Sequence, residues 1–359
     1  MLTAIIFIII LGVLVLVHEF GHFITAKRAG MKVEEFGFGF PPKIFGIKRG
    51  ETTYSINWVP FGGFVKIFGE NGEEKNDPRS FASAKAGVRS WVIVAGVIMN
   101  FLLAIALLSV DNAVGLRVGL DEASRSKATD IKIQILEVAP KSPAELAGIK
   151  PLDEIVRLKI GSKDFTAKTT DEVQGFINQN RGHEVVIETR RGANIIDSKV
   201  IPRANPPTGE GALGISLAIT GIIKYPWYQA IYHGAFDSAI ILERTFVGYG
   251  TIIGNLFTTG KAGVQLSGPI GIAIVTGQAA GLGFAYLMQF IALLSINLAV
   301  LNILPFPALD GGRLLFIIIE KIKGSPINKK IENAVNTIGF ALLIILMIYV
   351  TTKDILKFF

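Results

Sequence analysis

The most specific chemistry in the chain lies in five residues near its start, His18-Glu19-Phe20-Gly21-His22, an H-E-x-x-H sequence. On a helix, residues four apart face one side with Cβ atoms ~5–6 Å apart, so two imidazoles can converge on one Zn²⁺ while Glu19 reaches a water bound to it. Alone, the pattern also arises by chance in helices of soluble proteins. Its setting sharpens it, because Leu2 to Val17 is almost wholly apolar. Two His and a Glu in a lipid-buried helix are costly unless paired or metal-bound, which makes them functional candidates rather than groups snorkelling from a helix end.

A hydrolytic zinc needs a third protein ligand and one open position. No G-x-x-H extension follows His22, and Glu34 and Glu35 sit beyond the helix in a Gly- and Pro-rich segment. His183 follows Arg181-Gly182 and reads as a solvated turn, while His233 belongs to a polar stripe with Gln229 and Asp237. Asp310 is the better candidate. It closes Asn302-Ile303-Leu304-Pro305-Phe306-Pro307-Ala308-Leu309-Asp310-Gly311-Gly312, where two prolines break an apolar helix and two glycines free the backbone. Irregular backbone at membrane depth is tolerated where it lines a water-filled cavity, as hydrolysis requires. The plainer alternative is a span-ending turn capped by Asp310.

The elements that must position these residues are membrane helices. With 359 residues, 50% hydrophobic, 18% charged and a mean hydropathy of +0.49, the chain is too apolar for a soluble protein of this length. Four spans are expected: residues 2 to about 23, Val88 to Val110, Phe284 to Leu304, and roughly Ile338 to Thr351. The first lacks a basic leader and a small-residue cleavage site, so it is expected to be retained. Lys27, Arg28, Lys32, Lys43, Lys48, Arg49, Lys66, Lys75, Arg79, Lys85 and Arg89 crowd the loop after span one, and Arg313, Lys321, Lys323, Lys329 and Lys330 that after span three. Both loops are therefore expected to be cytoplasmic and both termini outside. The stretch Tyr225 to Phe257 is rich in aromatic and aliphatic residues, but Gln229, His233 and Asp237, with Arg244 near the same stripe, favour an amphipathic helix in the interface. A fifth crossing there would also put Asp310 ~30 Å from His18. Net charge is +7, yet much of the Lys and Arg borders apolar segments, so nucleic acid is not an expected partner. With Cys at 0, disulfides, thiolate metal sites and Cys nucleophiles are excluded.

Between spans two and three, strand-like runs Ile131 to Val138, Glu154 to Ile160 and Glu184 to Arg190 and a helical Thr170 to Asn180 mark a polar inserted domain. Asn205-Pro206-Pro207-Thr208-Gly209 reads as a linker behind it. In the first loop, Thr52 to Val59 and Phe64 to Phe68 read as short strands around Pro60-Phe61-Gly62-Gly63.

At these motifs the chain closely resembles the site-2 protease family of intramembrane zinc metalloproteases, in particular the bacterial regulator-of-sigma-E type. H-E-x-G-H and N-x-x-P-x-P-x-L-D-G-G are both complete, and the match extends to Gly37-Phe38-Gly39, Gly62-Gly63-Phe64-Val65-Lys66 and Ser267-Gly268-Pro269-Ile270-Gly271-Ile272. The resemblance implies His18, His22 and Asp310 as zinc ligands, Glu19 as general base, and Asn302 as a contact to substrate backbone or the developing oxyanion. Span two departs from the family's A-G-P-x-x-N-F with Ala95-Gly96-Val97-Ile98-Met99-Asn100-Phe101, and Phe64 replaces a usual Tyr. The segment Ser142 to Ile155 resembles a bacterial PDZ domain, with Leu152 where Gly is commoner.

The expected fold is thus a polytopic α-helical membrane protein of about four transmembrane helices with an inserted α+β PDZ-like domain and a membrane-associated β-hairpin loop. The divisions are 1–24 for the first helix, 25–87 for the cytoplasmic hairpin loop, 88–110 for the second helix and 125–204 for the extracytoplasmic PDZ-like domain. Then come 205–283 for linker and interfacial helix, 284–312 for the third helix with its motif, and 334–352 for the fourth. A peptide bond inside a helix is shielded until the helix opens, so a strand edge at Gly63, Phe64 and Val65 is expected to pair with unwound substrate, the plainer alternative being an ordinary hairpin packed under the membrane. The expected activity is Zn²⁺-dependent cleavage of transmembrane segments of single-span proteins in a bacterial inner membrane, near its cytoplasmic leaflet. Anti-sigma factors and remnant signal peptides are the substrates the resemblance implies. The PDZ-like domain would bind a peptide or act as a size filter. Two rival readings are a catalytically silent PDZ scaffold with a structural metal, against which an intact Glu19 speaks, and a metal transporter, which would distribute polar residues across the spans.

Overall fold

The computed structural model of the protein describes residues 2–72, 74, 76–260, 267–325 and 327–358. Met1 of the first expected span, Lys75 of the basic loop and 261–266 of the expected linker lie outside them. In chain order the elements begin with α1 (Leu2–Arg28), β1 (Val33–Arg49), β2 (Thr52–Ile67), α2 (Ala86–Val114), β3 (Leu116–Gly119), α3 (Glu122–Arg125) and β4 (Thr129–Val138). Next are α4 (Pro143–Leu146), β5 (Glu154–Ile160), β6 (Lys163–Phe165), α5 (Thr170–Gln179), β7 (Val185–Arg191), β8 (Asn194–Val200) and β9 (Ile215–Ile223). The chain ends with α6 (Trp227–Thr259), α7 (Pro269–Leu282), α8 (Phe284–Ile303), α9 (Asp310–Lys323) and α10 (Lys329–Phe358). Two compact units emerge: Met1–Val110, Ile231–Ala280 and Tyr286–Phe359 in one, Asp111–Ala230 and Gly281–Ala285 in the other.

In the first unit, α1, α2, α8 and α10 are long and apolar enough to cross a membrane. The chain is therefore a polytopic membrane protein with an inserted β-rich region. The 27 residues of α1 rise about 40 Å at ~1.5 Å each, more than a hydrocarbon core requires. Helices α1 and α2 meet at backbone contact, since a Cβ on Gly21 would stand 2.4 Å from the Ala95 carbonyl oxygen. Small residues allow such closeness where lipid supplies no hydrophobic drive between helices. Ala104 and Leu108 of α2 pack on Ala292, Ile296 and Val300 of α8, joined by Ile241, Leu242 and Tyr249 of α6. Helix α6 buries Ala230, Gly234 and Ser238, the stripe beside the expected polar one, and Gly234 rests on Ser109 of α2. Ser267-Gly268-Pro269-Ile270-Gly271 opens α7, where the Gly271 N–H donates to Asp354 Oδ2 of α10 at 2.7 Å. A carboxylate at the first turn of a helix is favoured by the amides exposed there.

The loop sheet differs from the expected hairpin. Its partners are residues 33–49 and 52–67, and the run through Pro60-Phe61-Gly62-Gly63 stays within one long strand. Glu35, Phe36, Gly37 and Phe38 have two partners each: Lys66, Val65, Phe64 and Gly63 on one side, Thr53, Tyr54, Ser55 and Ile56 on the other. Lys43 to Arg49 then pair back along Asn57 to Thr52. The Pro and Gly residues that read as a turn are the places where both long strands bend and shift register together. Gly63 to Ile67 is consequently an edge, with no second strand partner among the described residues.

The second unit holds a sheet in the order β3-β9-β4-β5-β7-β8, with β6 on β5. Its core is Ile133, Ile135, Leu158, Val173, Ile177, Val185, Ile187 and Leu213 with their neighbours. Strand β9 lies in the expected linker and β3 before the expected domain, yet β9 pairs with both β3 and β4. The Pro206-Pro207-Gly209 signal is a local break, whereas this pairing is set by distant residues. Asp153, fully buried, accepts from the Lys150 N–H at 2.9 Å and takes both Arg191 Nε and Nη2 at 2.7 Å. That bidentate bond holds the Arg191 guanidinium above its usual pKa.

Leu152 adopts φ +70°, the left-handed region, at the position where the resemblance expects Gly. A side chain there costs about 1–2 kcal/mol, and Gly would give back about 0.5–1 kcal/mol through chain entropy. Leu152→Gly is expected to stabilise the second unit by up to about 1 kcal/mol, seen as a rise of a few degrees in its thermal unfolding midpoint. A lowered midpoint would mean that Leu152 packing outweighs the strain.

Candidate metal centre

Helix α1 carries His18 and His22 one turn apart, both buried and facing α2. Their rings meet edge to face with centroids 4.8 Å apart. Asp310 arrives at the first turn of α9, after the helix break that Pro305 and Pro307 impose. Gly311 and Gly312 permit that approach, since a Cβ on either would stand 2.2–2.3 Å from the carbonyl oxygens of Ile303, Leu304 or Phe306. Asp310 Oδ2 lies 2.9 Å from His18 Nε2 and 3.2 Å from His22 Nε2, and the two Nε2 atoms are 3.2 Å apart. Among the described residues, no other cluster of three His, Cys, Asp or Glu is close enough to share a metal.

These separations fit a metal. Ligands at ~2.0–2.1 Å around a tetrahedral Zn²⁺ stand about 3.3 Å from one another. Three lone-pair atoms converging without a cation or a shared proton would repel. His22 Nδ1 is 2.8 Å from the Val92 carbonyl oxygen, so it donates there and leaves Nε2 free to ligate. The space beside both rings exists because residue 96 has no side chain: a Cβ there would meet His22 Nε2 at 2.5 Å and His18 Cε1 at 2.8 Å.

A family model described as peptidase family M50 matches residues 6–346. The chain belongs to peptidase family M50. It is 39% identical over 345 residues to the "Putative zinc metalloprotease" of Clostridium perfringens, covering 96% of this chain and 95% of that one. It is 32% identical over 442 residues to zinc metalloprotease RasP of Oceanobacillus iheyensis, covering 100% of both. RasP of Geobacillus kaustophilus is 31% identical over 437 residues, covering 98% and 97%. This M50 member is thus a multi-pass bacterial zinc metalloprotease of the site-2 protease type, with Zn²⁺ as cofactor.

The other expected site residues gather around this M50 centre. Glu19 Oε2 accepts from the Val65 N–H at 3.1 Å, which fixes the carboxylate against the sheet edge. Glu19, His22, Phe64, Val65 and Asp310 line one cavity of about 200 Å³. A Cβ on Gly63 would lie 3.9 Å from Glu19 Cγ, and Asn302 Nδ2 is 3.4 Å from His18 Nε2. The residues set aside lie elsewhere: Glu34 pairs with Lys66, Glu35 with Lys43, and exposed His183 contacts the Arg181 carbonyl. Sequence reasoning missed two features. Arg313, read as an orientation charge, forms an ion pair with Glu70 in the cavity wall. Asn100, quoted only within a motif, touches His18. An amide amid an apolar run was the available signal.

Proposed function

We propose that the protein is an intramembrane endopeptidase that cuts transmembrane segments of single-span membrane proteins. The observation that carries this reading is that the candidate ligand pair and Glu19 lie within α1, a helix of membrane-spanning length and composition. In this reading His18, His22 and Asp310 hold the zinc. Bound there, the ion supplies Lewis acidity that acidifies a water to a pKa of ~7 and polarises a carbonyl. Glu19 accepts the proton of the attacking water and passes it to the leaving amine. The Val65 N–H engages Oε2 and so leaves Oε1 for that proton. Asn302 Nδ2 donates to the substrate carbonyl oxygen as charge develops. The open edge at Gly63, Phe64 and Val65 offers backbone groups to a substrate stretch that has lost its helical hydrogen bonds.

The inserted sheet is proposed to be a PDZ-like domain on the extracytoplasmic side, binding a peptide or screening bulky substrates. Its buried Asp153 and the left-handed Leu152 support that reading. The basic loops support an active site near the cytoplasmic leaflet of an inner membrane. Close approach of His18 and Asp310 requires that α6 and α7 together add no net crossing, which favours an interfacial α6. The divisions proposed for the chain keep the four spans, with the inserted domain widened to take in β3 and β9.

The test is cleavage of a labelled single-span protein in liposomes containing the purified enzyme, with the cut mapped by mass spectrometry. A cut inside the apolar segment, abolished by a zinc chelator and restored by Zn²⁺, is expected. Cuts confined to soluble flanks contradict the intramembrane reading.

A further inference from the structure

We infer that Asn100 sets the tautomer of His18 through its side-chain carbonyl and so keeps His18 Nε2 as a lone pair facing the metal. This rests on His18, His22 and Asp310 being the ligands and adds a positioning residue to them. Asn100 is wholly buried in α2, in the middle of an apolar run. Its amide lies 3.4 Å from His18 Nδ1, its Oδ1 is buried without a hydrogen-bond partner, and its backbone carbonyl accepts from Ser295 Oγ of α8 at 2.8 Å. The residue is therefore held at its main chain by α8 and turned by its side chain toward α1.

A ligating imidazole carries its proton on the nitrogen that does not coordinate, and an acceptor on that side fixes the ring. His18 Nε2 points at Asp310 Oδ2 and His22 Nε2, so His18 Nδ1 bears the proton and needs an acceptor. With Nδ2 of Asn100 toward it, two donors would face each other. A half-turn of the amide brings Oδ1 to His18 instead. That turn exchanges one buried orphan atom for another, so the tautomer the metal requires decides the orientation. Helix α2 then serves both histidines in the same way. The Val92 carbonyl accepts from His22, the Asn100 amide accepts from His18 two turns further on, and Gly96 between them leaves room for the rings. An amide in the middle of a span is costly, and among the described residues its side chain has no hydrogen-bond contact besides His18.

The test uses the purified full chain and measures zinc affinity against a competing chelator for the native protein, Asn100→Leu and Asn100→Asp. Thermal unfolding of the zinc-free forms serves as the fold control. Asn100→Leu, similar in volume but without an acceptor, is expected to bind zinc about 10–100-fold more weakly, and Asn100→Asp as tightly as native or tighter. Nitrogen-15 spectra of histidine-labelled, zinc-loaded native protein should show His18 protonated at Nδ1, assigned by the signal lost in His18→Gln. This readout on the native protein stands even if an Asn100 variant fails to fold. Native zinc at full stoichiometry with Asn100→Leu within twofold of it overturns the role of Asn100 alone. Native protein without stoichiometric zinc overturns the ligand assignment and this inference with it.

Discussion

Glu19→Gln is expected to retain zinc at native stoichiometry while cleavage falls by about 10²–10⁴-fold, the range for removing a general acid–base group. The two properties separate because the carboxylate is not among the atoms that converge on the ligand site. His18 Nε2, His22 Nε2 and Asp310 Oδ2 form that cluster, whereas Glu19 Oε2 is engaged by the Val65 N–H at 3.1 Å. Gln keeps the volume and can still accept from Val65 through its carbonyl oxygen, so the sheet edge stays docked on α1. What it lacks is a site for the proton. Zinc content by mass spectrometry of metals, together with turnover of a single-span substrate, checks both halves. Loss of zinc with activity would make Glu19 a ligand or a structural group, and full activity would remove it from the chemistry.

Gly96→Ala should be comparably severe through a different route. The added Cβ would meet His22 Nε2 at 2.5 Å, His22 Cε1 at 2.7 Å and His18 Cε1 at 2.8 Å, against an ordinary contact above 3.4 Å. Neither ring can retreat cheaply: His22 is tied by Nδ1 to Val92, and Gly21 locks α1 onto Ala95 at backbone contact. The rings must therefore shift by several tenths of an ångström, and a ligand displaced by ~1 Å costs about 10²-fold in function. Zinc affinity and cleavage are both expected to fall by about that factor. Overpacking of a buried site costs about 1–3 kcal/mol, and the better helix propensity of Ala offsets about 1 kcal/mol of it, so the zinc-free variant should unfold only slightly earlier than the native zinc-free protein. Chelator competition paired with thermal unfolding distinguishes this from general misfolding. Native zinc affinity in Gly96→Ala would mean that the rings do not occupy the ligand geometry.

The candidate metal ligands were legible because each signal is local. Helical spacing of four puts His18 and His22 on one face, and two prolines followed by two glycines mark where Asp310 leaves its helix. The spans were equally legible, since an apolar run of about 20 residues declares itself. Less legible were features made by pairing across long separations. Strand β1 carries Gly37, Gly39, Pro41 and Pro42, and β2 carries Pro60, Gly62 and Gly63, so both looked interrupted. In the sheet those breaks match one another, and register shifts absorb them. Strand β9 alternates Ile215, Leu217 and Ile219, but a Pro-Pro-Thr-Gly break before it masks the connection to β4. The roles of Asn100 beside His18 and of Asp354 at the start of α7 depend on contacts 82 and 83 residues away. No local pattern carries such contacts, although a polar residue in an apolar helix signals that one exists.

The most direct measurement is X-ray diffraction from crystals of the purified protein at the zinc absorption edge, with an anomalous difference map of the membrane unit. One strong peak is expected about 2.0–2.2 Å from His18 Nε2, His22 Nε2 and a carboxylate oxygen of Asp310, with Glu19 outside ligand distance. The peak is expected to vanish in Asp310→Ala. A peak elsewhere, or one that survives undiminished in Asp310→Ala, would contradict the assignment of this centre.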